Sequence, residues 1–143
     1  MLTIRRLSDT ARALPLIEAQ YREHQIEIGR DRLKRALRGL VRGRGLVLLA
    51  ISDRAPAGVA ALSWIWTLER GGRTAWLDEL YVVPGERGRG IGRRLLLRAI
   101  DEARRSGCIA LELEVVRGHG RAARLYLREG FSRLPRTRYS RQL

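Results

Sequence analysis

The stretch Arg87-Gly88-Arg89-Gly90-Ile91-Gly92 follows the apolar run Leu80-Tyr81-Val82-Val83-Pro84 after the two residues Gly85-Glu86. A strand that ends in such a turn and opens into a helix leaves main-chain N–H groups aimed at one spot, where the helix dipole adds partial positive charge. That combination binds phosphate. Glycine at positions 88, 90 and 92 lets the backbone approach an anion closely, while Arg87 and Arg89 contribute charge and donors. A nucleotide P-loop requires Gly, four residues and then Gly-Lys-Ser/Thr, but the chain's one lysine is Lys34. The dinucleotide fingerprint Gly-x-Gly-x-x-Gly belongs to an early βαβ unit, whereas these glycines stand two apart and beyond the middle of the chain. A ligand-free turn accounts for one glycine, not for three flanked by arginine.

Composition narrows the remaining chemistry. Cys108 is the only cysteine and His24 and His119 the only histidines, which excludes a disulfide framework and a multi-Cys/His zinc site within one chain, so no metal is expected. Cys108, after Gly107 at a strand start, reads as a small buried thiol. Catalysis must then come from carboxylates, tyrosines, backbone amides or arginine. The 29 basic residues against 15 acidic ones give a net charge of +14, which attracts any polyanion. The arginines are scattered and lack the aromatic interleaving of an RNA-binding sheet, so nucleic acid is the less favoured partner. The longest apolar run, Leu46 to Ile51, falls far short of the roughly 20 residues that cross a bilayer, and the N-terminus has no apolar signal core. A soluble, cytoplasmic protein without membrane contact is expected. At 143 residues, 45% of them hydrophobic, the chain fits a single domain over 1–143 with one core.

The elements that must carry the loop follow from periodicity. Leu2 to Arg6 alternates as a strand, and Ser8-Asp9-Thr10 offers caps for a helix to about His24. Leu33, Ala36, Leu37 and Leu40 recur at helical spacing from Asp31 to about Leu40. Strands are predicted at Leu46 to Ser52, Gly58 to Leu68 and Thr74 to Val83, joined by Asp53-Arg54-Ala55-Pro56 and Glu69-Arg70-Gly71-Gly72-Arg73 as an antiparallel meander. The helix after the glycine loop carries Ile91, Leu95, Leu96, Ala99, Ile100 and Ala103 on one stripe, leaves Asp101 and Glu102 outside it, and stops at Ser106-Gly107. Ile109 to Val115 alternates as a half-buried strand, and a strand-helix-strand crossover makes it parallel to the strand at Thr74. A helix from Arg121 to Glu129 and an extended segment from about Thr137 finish the chain. The fold class is α/β: a mixed, mostly antiparallel sheet with a central parallel strand pair, flanked by helices.

On these residues the chain resembles the GNAT superfamily, the Gcn5-related N-acetyltransferases. The family signature Arg/Gln-x-x-Gly-x-Gly/Ala matches Arg87, Gly90 and Gly92, and Ala122, Leu125, Tyr126, Gly130 and Phe131 match the later pattern Asn-x-x-Ala-x-x-Leu-Tyr-x-x-x-Gly-Phe. The resemblance is specific from about Leu77 to Phe131. It implies an acyl-CoA N-acyltransferase fold in which N–H groups from Arg87 to Arg93 hold the pyrophosphate of acetyl-CoA. It also implies a bulge at Tyr81, Val82 or Val83 that splays the parallel strands, so that the pantetheine arm pairs with the backbone of Val82 or Val83. A backbone N–H near Tyr81 or Val82 would stabilise the oxyanion. Tyr126 matches the tyrosine that protonates the departing thiolate.

The acceptor must attack as a free amine. For an amine of pKa about 10.4, deprotonation at pH 7 costs roughly 4.6 kcal/mol, against about 1.4 kcal/mol near pKa 8. Glu79, on the strand face of Tyr81, is the candidate base; the alternative is that it binds a cationic acceptor or pairs with an arginine. Asp78 points to the other face, and Glu112 and Glu114 are weaker candidates. Tyr21, His24, Trp64, Trp66 and Trp76 are weak candidates to line an acceptor pocket, since such aromatics more often fill cores. Acetyl transfer to a primary amine of a small molecule or protein is the leading function; a basic nucleic-acid-binding module and a CoA-binding relative without catalysis are the alternatives. Neither the acceptor nor the oligomeric state is fixed by sequence, a homodimer included. His119 stands where the family has asparagine, and an imidazole offers one donor and one acceptor for the same cofactor contact. His119→Asn is therefore expected to retain activity; loss of acetyl-CoA binding in that variant would give the histidine a distinct role.

Overall fold

The computed structural model describes residues 1–143, which divide into two compact units, Met1–Leu113 and Glu114–Leu143. In the first unit β1 (Leu2–Arg6), β2 (Gly45–Ser52), β3 (Ala55–Thr67), β4 (Gly72–Val82) and β5 (Ala110–Glu112) form one sheet in that order. Neighbours from β1 to β4 are antiparallel, and β5 runs parallel to β4. Helices α1 (Leu14–Glu23) and α2 (Arg30–Val41) lie between β1 and β2 in sequence, and α3 (Ile91–Arg105) makes the crossover from β4 to β5. The mixed sheet and its βαβ crossover agree with the sequence reading.

Both faces of this sheet are covered. Every residue of β2 from Gly45 to Ala50 is buried, as a strand between two helical layers must be. Val47, Leu49, Val59, Ala61 and Tyr81 join Leu14, Leu16 and Ile17 of α1 and Leu33 and Leu37 of α2 in one core. The α3 stripe buries Ile91, Leu95, Leu96, Ala99 and Ala103, with Leu95 and Ile91 against the backbone at Gly58. Glu102 departs from expectation. It is 5% exposed, and Arg98 Nε donates to it at 2.8 Å, with Arg6 and Arg105 each 3.7 Å away. Three guanidiniums make that carboxylate tolerable in a buried position, which the helical stripe alone did not indicate.

Several boundaries move for local reasons. The turn after β2 is only Asp53-Arg54, both at positive φ (47° and 71°), so Ala55 and Pro56 belong to β3. A bulge beside Ala50 and Ile51 lets the proline sit in the ladder. The first predicted helix begins as a 3₁₀ turn, Thr10–Arg12, capped by Asp9 accepting from Ala11 N–H at 2.9 Å, before α1 proper. β5 is three residues long, not the seven predicted from Ile109 to Val115, because only Ala110–Glu112 pair with β4. The extended segment expected from Thr137 forms no strand, and the parallel pair therefore stands at the end of the sheet.

The second unit contains α4 (Gly120–Arg128). Gly130, at φ 89°, ends it in a Schellman motif, with Phe131 N–H donating to Tyr126 O at 3.0 Å and Gly130 N–H to Leu127 O at 3.3 Å. The Tyr126 and Phe131 rings meet edge to face at 5.6 Å. Arg138 pairs with Glu114 at 3.0 Å.

Gly45 exposes the tightest seam between β2, β3 and α2. A Cβ there would lie 1.9 Å from Leu62 O and 2.7 Å from Leu40 Cδ1, whereas one at Gly85 would meet nothing within 4 Å. Gly45→Ala is expected to lower stability by about 3 kcal/mol, at the upper end for overpacking, with Gly85→Ala close to neutral. Urea denaturation of the two variants checks this; equal midpoints would refute it.

Candidate functional site

β4 organises the site because its two edges are used differently along its length. On the β5 side, pairing runs from Thr74↔Ala110 to Trp76↔Glu112 and stops there. On the β3 side, the register passes from Ala61↔Glu79 to Leu62↔Leu77, leaving Asp78 as the extra residue of a bulge. A bulge bends its strand and raises the local twist, which accounts for the end of the parallel ladder. The sequence placed this bulge at Tyr81, Val82 or Val83; it lies at Asp78, and because a bulge breaks the strict alternation of a strand, the exposed Asp78 carboxylate is near enough to act on Glu79 and Tyr21 and is not simply turned away from them. From Leu77 to Val82, β4 has no strand on its β5 side. Two groups near its end are already taken: Val83 N–H donates to Ala57 O at 2.9 Å, and Val82 O accepts from Arg87 Nε at 2.9 Å.

Beyond Val83 the chain makes a 3₁₀ turn, Pro84–Glu86, and reaches the glycine loop. Gly88 and Gly90 both adopt φ 79°, a conformation that costs other residues strain, and Gly90 is the N-cap of α3. No side chain caps this helix. The N–H groups of its first turn have no intrahelical acceptor, so they and the positive end of the dipole face outward together. At Gly92 a Cβ would touch only Val82 Cγ2, at 3.6 Å, and the loop is thus a shallow cradle of backbone. The loop arginines behave differently from expectation. Arg87 Nη2 donates to both carboxylate oxygens of Glu23 at 2.9 Å, and its guanidinium carbon lies 5.4 Å from the centre of the Tyr81 ring. Arg89 pairs with Glu86 at 2.5 Å. In this state the charge of both side chains is met by carboxylates, leaving the backbone as the anion-facing element.

The last turns of α1 cross β4 and make two reciprocal contacts. Tyr21 hydroxyl donates to Glu79 Oε1 at 2.5 Å, and Tyr81 hydroxyl donates to Glu23 Oε1 at 3.0 Å. Each element thus supplies one phenol and one carboxylate, two residues apart. Glu79 is half-buried; burial chiefly, reinforced by the nearby Asp78, pushes its carboxyl up to about 7 against the opposing hydrogen bonds from Tyr21 and Gln20. Burial and the facing Glu79 carboxylate push the Tyr21 phenol well above its usual range. The hydrogen bond from Arg87 holds Glu23 below the ordinary carboxylate range. A carboxyl balanced near neutrality beside a firmly ionised one is the arrangement a proton acceptor needs.

Other sequence candidates fall in separate places. His24 is half-buried at the C-cap of α1, one residue from Glu23. Trp64 is half-buried in β3, its main-chain N–H donating to Arg44 O at 2.7 Å, and Trp76 is half-buried in β4, whereas Trp66 is 76% exposed. Glu112, in β5, is held by Arg70 at 3.0 Å, and Glu114, in the second unit, by Arg138, so each is engaged in an ion pair. Cys108 is half-buried, and burial raises its thiol. In the second unit His119 is the N-cap residue of α4, and burial pushes the Tyr126 phenol up to about 12. Sequence reasoning missed Glu23 and Gln20. The signal was the matched spacing Tyr21-x-Glu23 and Glu79-x-Tyr81, which gains meaning only once α1 is known to cross β4.

Comparison with known proteins matches this geometry to one family. The model of the Acetyltransferase (GNAT) family matches residues 11–131. A streptothricin acetyltransferase of Streptomyces lavendulae is 38% identical over 81 residues, covering 53% of this chain and 38% of that protein. A solved structure from Arthrobacter sp. FB24 is 32% identical, with a TM-score of 0.82 and coverage of 99% of this chain and 96% of that one. A Clostridium acetobutylicum protein solved with acetyl-CoA shares the fold at 18% identity, TM-score 0.82, covering 99% and 96% of the two chains. The chain spans only 25% to 54% of the lengths of the curated relatives it matches. With most of its length matched by the family model, from α1 through the glycine loop to Phe131, the chain belongs to the GNAT acetyltransferase family.

Proposed function

We propose that this chain is an N-acetyltransferase that takes the acetyl group of acetyl-CoA and passes it to a primary amine. The observation that carries the reading is the uncapped start of α3 behind the αL glycines 88 and 90, placed just past the strand that bears Glu79. A diphosphate fits this backbone cradle: its charge meets the helix N-terminus, and glycine at 88, 90 and 92 keeps side chains out of the approach. Residues Arg87 to Arg93 would hold it, with Arg89 available once it leaves Glu86. The pantetheine arm would lie along the open edge of β4 between Leu77 and Val82, as an added strand does. Acetyl-CoA supplies the thioester carbonyl that is attacked.

The chain's own residues supply the proton chemistry. Glu79 removes the proton that an ammonium acceptor brings, and its elevated carboxyl makes the proton easier to accept near neutrality. A backbone N–H near Tyr81 or Val82 would meet the negative charge that develops on the carbonyl oxygen. Tyr126 enters by its place in the family pattern: its phenol stays protonated across the working pH range and can give that proton to the thiolate. His119 precedes the same helix as a further cofactor contact. No helix is long and apolar enough to cross a membrane. The surface charge of +14 disfavours polycationic acceptors at long range, so a local carboxylate must overcome it.

Two measurements test the reading. Acetyl-CoA should raise the melting temperature of the wild type, and Gly90→Trp should abolish that shift; no shift at about millimolar cofactor would sink the idea, since ligand at 100 times Kd stabilises by about 2.7 kcal/mol. The kcat–pH profile with an amine that turns over should rise through about 7 as Glu79 loses its proton. Glu79→Gln should remove that limb and lower kcat by roughly a hundredfold or more. A profile that is unchanged in Glu79→Gln would assign the base elsewhere.

A further inference from the structure

A cleft of about 440 Å³ opens where α1 gives way to α2, lined by Glu18, Tyr21, Ile26, Glu27, Ile28 and Leu33 among others. Tyr21 stands in its wall, and Glu79 lies one hydrogen bond behind, accepting from the Tyr21 hydroxyl at 2.5 Å. The neighbouring Gln20 is 8% exposed, and its Oε1 is buried without a hydrogen-bond partner. Ile26 and Ile28 are 49% and 41% exposed, so the cleft offers an apolar wall to a visitor. Glu18 is held by Arg30 at 3.5 Å, and Arg22 also borders the space.

We infer that the acceptor enters this cleft as an alkylammonium, its stem along Ile26, Ile28 and Leu33, and that the Tyr21 hydroxyl is the group its nitrogen meets. The inference rests on the N-acetyltransferase reading and adds the acceptor class and a second proton-handling residue. A phenol can accept and donate at once. The ammonium N–H proton passes to Tyr21 Oη while the Tyr21 O–H proton passes to Glu79 Oε1. The N–H bond breaks, one O–H bond is exchanged for another on Tyr21, and a new O–H bond forms on Glu79. The amine is left neutral with its lone pair free, Tyr21 is unchanged, and Glu79 holds the proton. Such a relay lets a carboxylate act on an acceptor that it does not touch, and it disfavours acceptors too bulky to bring nitrogen to the Tyr21 hydroxyl.

The groups that act on the Glu79 carboxyl are Gln20 and Tyr21 from α1 and Asp78 beside it on β4; Glu18, Arg22 and Glu27 are the charged groups of the cleft wall, and Glu23, two residues past Tyr21 on α1, is paired with Arg87 of the glycine loop. Tyr21→Phe removes a hydrogen bond that favours the charged form of Glu79, so the limb moves upward whether or not the phenol relays. The plateau separates the two roles. With n-butylamine, putrescine and L-lysine as acceptors, Tyr21→Phe should lower the plateau kcat above the displaced limb by about tenfold or more, while the acetyl-CoA melting shift stays at the wild-type value. Recovery of the full wild-type plateau in Tyr21→Phe would overturn the relay and leave Glu79 as a direct base. Absence of both amine turnover and an acetyl-CoA melting shift in the wild type would overturn the enzymatic reading itself. Independently of turnover, n-butylammonium titrated into tyrosine-labelled protein should move the Tyr21 ring signal in carbon NMR spectra; a Tyr21 signal that stays fixed would overturn the placement of the acceptor.

Discussion

The crossing of α1 over β4 carries two phenol–carboxylate pairs with opposite polarity, and the electrostatics of the whole site follow from it. Tyr21 donates to a Glu79 carboxyl lifted by burial, while Tyr81 donates to a Glu23 carboxylate that Arg87 keeps ionised. The Glu79 carboxyl can therefore exchange a proton near neutrality while its counterpart Glu23, on α1, stays charged. The difference comes from surroundings, since both are glutamates bonded to a tyrosine. Without the buried Ala13, Leu14, Leu16 and Ile17 holding α1 to the sheet, neither pair would have a fixed geometry.

The same crossing ties the acceptor side of the site to the anion side. β4 supplies Glu79 and Tyr81 and then, through the turn at Pro84–Glu86, the loop that starts α3. Arg87 reaches back to Val82 O and Glu23, fastening the loop to both β4 and α1. The bulge at Asp78 ends the pairing with β5 and frees the edge of β4 next to these side chains. A linear arrangement of open strand edge, glycine turn and uncapped helix start is what an extended ligand with a charged end requires.

Much of this was legible in the chain because the informative signals are local. The glycine spacing at 88, 90 and 92 demands a backbone cradle whatever surrounds it, and the α3 stripe from Ile91 to Ala103 has a helical period without competition from other patterns. The features that escaped depend on partners distant in sequence. Glu102 sits off the apolar stripe yet is buried, because Arg6 from β1 joins Arg98 and Arg105 around it. Nothing local marks Glu23, because its partners Tyr81 and Arg87 are 58 and 64 residues away and meet it only through the packing of α1. The bulge was misplaced for a related reason. A register shift is a property of a strand pair, and β4 alone does not reveal that Ala61 faces Glu79 while Leu62 faces Leu77. The short β5 likewise reflects how little of β4 is left to pair with it, not the alternation of Ile109 to Val115 itself.

The bidentate grip of Arg87 on Glu23 is a clasp between two segments 64 residues apart in the chain. Any anion that draws the guanidinium away leaves Glu23 with the Tyr81 hydroxyl as its remaining anchor in this contact, and the end of α1 loses its ionic tether to the loop. Rising salt screens such a half-exposed clasp, whereas the apolar contacts that seat α1 on the sheet are not weakened by it.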